Sequence, residues 1–384
     1  MRLILSLLLS SAVIAPVALS QTPTISIPNS SAPSTLNQRA LVNDLALRLE
    51  SDFVYPAQGK AYALALRAHD DKGDYDGLKG ADLAKRLTED LQAVAKDGHL
   101  RVMFEGMGGG PEIIIKHPPE TQDGVRPQDG SKGEPKPIMI KVMPKAIEQA
   151  GWIAPGIAFV RFNGFPSEPD TVEAVTKFMN TYASAKTIIF DIRTHMGGAL
   201  GEMDAIFPYL YGQKTHLLNM ATRTSVDQAG GSPIAGVPTL KIVEGDHEFV
   251  TREHWVTPNK KKSLRKAKIY VLTSGFSASA AEHFASALKH TKRATLIGRT
   301  TYGANHFGGD QDLGNGFSVF LPVGRAYDPK TGKDWEGVGV EPDIDIAPED
   351  ALIKALTLSG VPKADAERLS AERAPQLPMR GRKK

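Results

Sequence analysis

The sequence predicts an α/β protein, with a mostly parallel sheet core preceded by a small N-terminal helical unit. Three observations carry this. Between Leu36 and Ala95 leucines recur at helical spacing; after Pro155 strands alternate with helices; and those strands are apolar throughout instead of at every second position. A strand that is apolar on both faces belongs to a sheet covered by helices on both sides, the usual setting of parallel strands. The chain has 384 residues and no cysteine, which suffices for a sizeable core but excludes disulfides, Cys-ligated zinc, iron–sulfur clusters and a thiol nucleophile.

Taken in order, residues 1–20 read as a secretory signal, with Arg2 as the charged start, an apolar run Leu3–Leu19 and the small-x-small site Ala18-Leu19-Ser20. The protein is therefore expected to be exported, periplasmic or extracellular, and no second apolar run offers a stable membrane span. Residues 21–34 are a Ser/Thr/Pro-rich linker. The helical unit covers 35–105: Leu41, Leu45 and Leu49 lie four apart, Tyr62–His69 is rich in Ala and Leu, and Leu83, Leu87, Leu91 and Val94 form a stripe. It stops at Asp97-Gly98-His99, after which Leu100–Phe104 alternates like a strand. Residues 106–152 are a loop-rich connection, dense in Gly and Pro, with Ile113–Ile115 and Ile138–Val142 as short strand candidates.

The α/β domain spans 153–362. Its strands are expected at Ile157–Phe162, Thr187–Ile192, Ala267–Leu272 and Ala294–Ile297, and its helices at Asp170–Tyr182, Leu200–Tyr211 and Ser279–His290. Phe317–Pro322 and Lys333–Val340 suggest a hairpin, Ala351–Leu358 a closing helix, and 363–384 a basic, disordered tail. The net charge is +3, but without the five basic residues at the two ends the body carries about −2 and has no field that would gather nucleic acid. The basic run Lys260–Lys268 lacks interleaved aromatics and reads as a solvated approach to a strand. His247, Glu248 and His254 match no metal-ligand spacing and read as surface residues; no phosphate-binding loop is present, and no metal or cofactor is expected.

In α/β sheets reactive groups collect where strands end and helices begin, because helix N-termini offer unpaired N–H donors. Two junctions stand out. Ile188–Ile192 runs into Arg193-Thr194-His195-Met196-Gly197-Gly198, where glycines let backbone N–H groups face a ligand or simply make a tight turn. Ile269–Leu272 runs into Thr273-Ser274-Gly275-Phe276-Ser277-Ala278-Ser279-Ala280-Ala281-Glu282, where Ser277 or Ser279 is either an N-cap or a nucleophile.

Five segments in order resemble the tail-specific (C-terminal-processing) serine peptidases, within the branch of the tricorn core and the interphotoreceptor retinoid-binding protein repeats. They are Asp97-Gly98-His99-Leu100, Asp191-Ile192-Arg193 with Gly197-Gly198, Phe276 to Glu282, Gly298 to His306, and Trp335 to Asp343. The resemblance implies a ClpP- and crotonase-like core without a PDZ domain, the 106–152 interval being shorter than a domain. It makes Ser279, the second serine of Ser-x-Ser-x-x-Glu, the nucleophile, with the N–H groups of Ala280 and of Gly197 or Gly198 as the oxyanion hole.

Tail-specific members use a lysine base where this chain has Ala304, and no Lys occurs between Thr295 and Pro322. The tricorn-like branch instead implies His99 as base, oriented by Glu336. His306, two residues past Ala304, is the alternative base; His283 lies one turn after Ser279 on its own helix, and His195 stands beside the glycines where substrate could reach it. Arg299 stands where relatives often carry a glutamate, and Thr194-His195-Met196 where they carry an asparagine–glycine-rich turn. The expected activity is an exported serine endopeptidase acting on peptide or unfolded protein chains without a cofactor. The rival is a non-catalytic binder of apolar ligands on the same scaffold.

Overall fold

The computed structural model describes residues 37–105, 113–115, 138–140, 144–243, 247–377 and 379. The expected signal 1–20, the linker 21–34, most of the 106–152 connection and the basic residues 380–384 lie outside the described residues.

Three helices come first: α1 (Gln38–Asp52), α2 (Pro56–Asp71) and α3 (Gly80–Val94). The leucine stripes are their buried faces, Leu41, Leu45 and Leu49 on α1 and Leu83, Leu87 and Leu91 on α3. Val94, expected in that stripe, is the last residue of its helix and is exposed. Asn37 caps α1 by accepting the Ala40 amide, and Pro56 opens α2 at the one turn where a missing N–H costs nothing. The next strand, β1 (Arg101–Phe104), pairs antiparallel with residues 317–320. The helical unit is thereby tied to the far end of the chain.

Two three-residue strands, β2 (Ile113–Ile115) and β3 (Ile138–Ile140), pair antiparallel with each other. The α/β part then runs β4 (Ile147–Ala154), β5 (Ile157–Phe162), α4 (Pro169–Thr181), β6 (Thr187–Asp191), α5 (Gly201–Leu210), β7 (Thr215–Arg223), α6 (Thr224–Gln228), β8 (Leu240–Ile242) and β9 (Phe249–Val256). It continues with β10 (Lys268–Thr273), α7 (Ala280–His290), β11 (Thr295–Gly298), β12 (Phe307–Gly314), β13 (Phe317–Tyr327), β14 (Ile344–Asp345), α8 (Ala351–Leu358) and α9 (Lys363–Glu372).

One sheet has the order β14-β11-β10-β6-β5-β4 and is parallel except for β4. Its strands bury both faces, as their continuous apolar sequence requires. Ala158, Val160, Ile188, Phe190, Ile269 and Val271 pack under α4, α5 and α7, whereas Phe159, Ile189, Tyr270 and Leu272 pack under α8 and α9.

A second, antiparallel sheet, β1-β13-β7-β9-β8 with β12 added to β13, was not foreseen. Its strands mix buried polar groups such as Thr222, Arg252 and His254 with apolar ones, so no clean period of two appears in the sequence. The expected hairpin also changes partner. β13 pairs with the preceding β12 across Asn315-Gly316, both at positive φ (52° and 81°), the geometry a two-residue hairpin favours. Residues 333–340 form no strand; Trp335 and Val340 are buried there as loop residues.

The expectation of a disordered tail from residue 363 is corrected as well. Lys363–Glu372 is α9, whose Ala366 is fully buried beside α8, and the Arg373 carbonyl accepts a hydrogen bond from the buried guanidinium of Arg161.

Candidate active site

The parallel strands β6 and β10 end side by side and set the site. At the end of β6 the Asp191 carboxylate is fully buried and accepts from Arg161 Nε at 2.8 Å and from Arg193 Nε and Nη2 at 2.8 and 2.7 Å. Burial alone would raise its pKa, but Arg193 and then Arg161 outweigh it and pull the group down to about 2. Arg193 also donates to the Pro348 carbonyl at 2.6 Å, which anchors the start of the glycine turn.

Two glycines in that turn are there for steric reasons. Gly197 and Gly198 have φ of 121° and 129°; a Cβ on Gly198 would fall 2.0 Å from the Phe165 carbonyl oxygen, and one on Gly197 would fall 2.9 Å from Ser279 Cβ and 3.4 Å from its Oγ. The turn is thus pressed against Ser279.

Past β10, the serines separate. Ser277 is fully buried, donates to the Ile192 carbonyl at 2.7 Å and accepts the Ser274 amide, so its hydroxyl is consumed by the turn. Ser279 stands at the N-cap of α7 with φ 56° and ψ −117°, a backbone conformation that a non-glycine residue adopts only under constraint. Glu282 supplies that constraint. Its buried carboxylate accepts the Ser279 amide at 2.8 Å, the Ala304 amide at 2.8 Å, the Gly303 amide at 2.7 Å and the Thr301 hydroxyl at 2.6 Å. Burial pushes Glu282 up to about 7 against the pull of those donors.

Sequence reading had given Glu282 no task beyond its place in the motif; one carboxylate joins the Ser279 turn to the 301–304 loop. Among the described residues the amides of Gly198 and Ala280 donate to no other protein group, whereas the Gly197 amide donates to His195 Nδ1 at 3.1 Å. Of the three expected oxyanion donors, one is therefore engaged elsewhere.

Ala304, where the resemblance leads to the expectation of a lysine, packs against the Asp97–Leu100 turn: a Cβ on Gly98 would lie 2.9 Å from both Cα and Cβ of Ala304. Gly98 thus comes too close to Ala304 to carry a side chain of its own. Asp97 builds it, with Oδ1 accepting the His99 and Leu100 amides at 2.8 Å each and Oδ2 meeting His306 Nδ1 at 2.6 Å.

The His99 ring lies on Phe320 with centroids 5.2 Å apart, and its Nδ1 is buried without a partner. Burial first, then Arg101 and His306, take its pKa to about 4 against the opposing pull of Asp97. Among the described residues no hydrogen bond joins the Ser279 hydroxyl to His99 or His306.

Glu336 does not hold the His99 ring. It accepts the Gly98 amide at 2.7 Å through Oε1 and the Asn305 and His306 amides at 2.6 and 3.0 Å through Oε2, so it ties the two loops together by their backbones. His306 is buried, its Nε2 has no partner, and burial is outweighed by Asp97 and then Glu336, which raise its pKa. Asp97, His306 and Glu336 bring ligand atoms within 4.8 Å of one another, but the ion pair and the three amides already use them.

The other histidines leave the site. His195 is fully buried edge-on against Phe165, with a pKa lowered by burial to about 3, so it does not face substrate. His283 and His254 are buried and paired at 2.9 Å, and His254 reaches Asp204 at 2.8 Å, which corrects the surface reading of His254 and removes His283 as a base.

Residues 156–346 match the family described as Peptidase family S41. A curated relative, carboxyl-terminal-processing peptidase 1, chloroplastic, from Arabidopsis thaliana, is 34% identical over 125 residues, 31% of this chain and 25% of the relative. The chain thus spans about a quarter of that protein's length. Two solved structures share the fold: one described as a photosystem II D1 C-terminal processing protease (TM-score 0.50, 16% identity, 82% of this chain and 94% of that one), and a candidate peptidase from Parabacteroides merdae (TM-score 0.53, 17% identity, 86% and 97%). Among the described residues no helix is long and apolar enough to cross a membrane.

Proposed function

Through its α/β core the chain belongs to peptidase family S41, and on that premise we propose that it is a serine endopeptidase acting on extended or unfolded polypeptides, with Ser279 as nucleophile and His99 as base. The observation that carries this is the constrained Ser279, at φ 56° on the N-terminus of α7, pressed against the Gly197–Gly198 turn. A helix N-terminus and a glycine turn offer N–H donors to one oxygen, and such donors stabilise a tetrahedral intermediate by several kcal/mol.

Ser279 Oγ adds to the scissile carbonyl while its proton passes to His99. The imidazolium returns that proton to the leaving amine, and water then hydrolyses the ester by the same route. His99 is favoured over His306 by its charge state. A base must be neutral, and burial keeps His99 neutral down to about pH 4 whereas Asp97 holds His306 protonated to higher pH. His306, with Nδ1 on Asp97 and Nε2 unpartnered, has the arrangement of a carboxylate-oriented imidazole and is the alternative base. Asp97 and Glu336 position His99 through the backbone of its turn. Export is inferred from the Arg2–Ser20 pattern.

The test is labelling by a fluorophosphonate probe of the protein and of Ser279→Ala, His99→Ala and His306→Ala. Labelling abolished in the first two and only weakened in the third supports the assignment; labelling abolished in the third alone of the histidine variants moves the base to His306. No labelling of the unaltered protein between about pH 6 and pH 9, where a histidine base is at least partly neutral, sinks the peptidase reading in favour of apolar-ligand binding.

A further inference from the structure

Beside the Gly197–Gly198 turn lies a cavity of about 690 Å³, walled by Ile147, Phe165, Pro166, Ala174 and Met196 and closed on one side by the two glycines themselves. Its wall is mostly apolar. The polar side chain nearest its floor, Asn163, is already satisfied: its Oδ1 accepts the Thr194 hydroxyl, and its Nδ2 donates to the Lys145 carbonyl and to Glu148. Two exposed carboxylates, Glu168 and Asp170, and the exposed ammonium of Lys145 stand at the rim. The pocket is continuous with the site, because the same Gly197 that lines it would touch Ser279 Oγ if it had a side chain.

We propose that this cavity receives the side chain of the substrate residue that donates the scissile carbonyl (P1), and that it selects a large apolar residue over a small or charged one. The inference rests on the peptidase reading and adds the substrate class to it. A carbonyl placed between Ser279 Oγ and the unengaged amides of Gly198 and Ala280 has its own side chain next to the glycine turn, and the glycine turn is one wall of the cavity. Burying a large apolar side chain there removes apolar area from water without breaking a hydrogen bond. A charged one would lose its hydration, and the rim offers both signs, Glu168 and Asp170 against Lys145, so neither charge gains a net partner. Ala174 sets the depth. It is exposed on α4, so a larger residue there projects into the cavity without disturbing the core.

The experiment measures kcat/KM for peptides of fixed flanks with Phe, Leu, Ala, Asp or Arg at P1, on the protein and on Ala174→Trp. In parallel, the affinity of the same peptides is measured on Ser279→Ala and on Ser279→Ala/Ala174→Trp. The proposal expects Phe and Leu to exceed Ala by about tenfold or more, with Asp and Arg both below Ala, and expects Ala174→Trp to lower the Phe-to-Ala ratio by about tenfold. A preference for Arg or Asp, or a Phe-to-Ala ratio unmoved by Ala174→Trp, overturns it. Should no peptide be cleaved, the affinities decide. The same ranking on Ser279→Ala, lost in the double variant, upholds the pocket while the peptidase reading falls; a flat ranking removes the pocket too.

Discussion

Replacing Asp191 by Asn tests whether the buried charge cluster at the end of β6 supports the glycine turn. Two guanidiniums, each no more than 2% exposed, converge on this carboxylate. Asn keeps one acceptor oxygen and turns an NH2 toward donors that now have no acceptor, leaving Arg161 and Arg193 partly unpaired in the interior. Breaking a buried pair in this way costs about 3–5 kcal/mol.

A second number comes from titration. The carboxyl sits at about 2 against an ordinary value of 3.8, so its ionisation contributes about 2 kcal/mol of stability. Because the folded pKa is depressed, that contribution is fully present above about pH 4 and fades as pH falls toward 2, with about 1 kcal/mol gone by pH 3. Urea unfolding of both proteins at pH 7 and pH 3 provides the assay. Asp191→Asn should be less stable by about 3–5 kcal/mol at pH 7, and the gap should narrow by about 1 kcal/mol at pH 3. A difference under about 1 kcal/mol at pH 7, or a gap that does not change with pH, would refute the argument that this carboxylate is what compensates the two arginines.

Three further outcomes are expected. The acid limb of the labelling or hydrolysis rate should fall near pH 4, where His99 protonates, and a limb above the ordinary histidine value of 6.5 would instead name His306, whose pKa is raised. Gly197→Ala should lower labelling by about a hundredfold or more, because the new methyl meets Ser279, with a modest stability loss from its φ of 121°; Gly198→Ala should lower stability more, since its Cβ also falls 2.0 Å from the Phe165 carbonyl oxygen, and thermal melts alongside labelling separate the two. His306 has a raised folded pKa, so its ion pair with Asp97 stabilises fully below about pH 6.5 and is lost as pH rises through the folded value. His306→Asn should therefore be less stable than the unaltered protein at pH 6, with the deficit shrinking toward alkaline pH in urea titrations.

The parallel sheet was legible because its strands are apolar on every residue, and the helices because their leucines keep a period; both are local signals. The antiparallel sheet was not, since Thr222, Arg252 and His254 are buried by partners far away in the chain, and a polar residue in a strand reads as exposed when its partner is unseen. The Asn315-Gly316 turn was a local signal available in the sequence, passed over because β12 is rich in Gly and Asp. Ser279 and the glycine pair were singled out through strand-to-helix junctions and motif resemblance. Glu282 was missed as an organiser because it acts through backbone amides of the remote 301–304 loop, and Asp97 because its remote partner is the imidazole of His306.

Position 304, where the family resemblance suggests a lysine, shows why a site cannot be read one position at a time. Gly98 meets Ala304 so closely that a Cβ on the glycine would lie 2.9 Å from both Cα and Cβ of the alanine. The turn that makes this contact carries His99, and Asp97, Glu336 and His306 fix it from three sides. A side chain at 98 would therefore collide with Ala304 and displace His99. Gly98→Ala should lower labelling by about tenfold or more, and a Gly98→Ala variant that labels like the unaltered protein would show that this contact does not position His99.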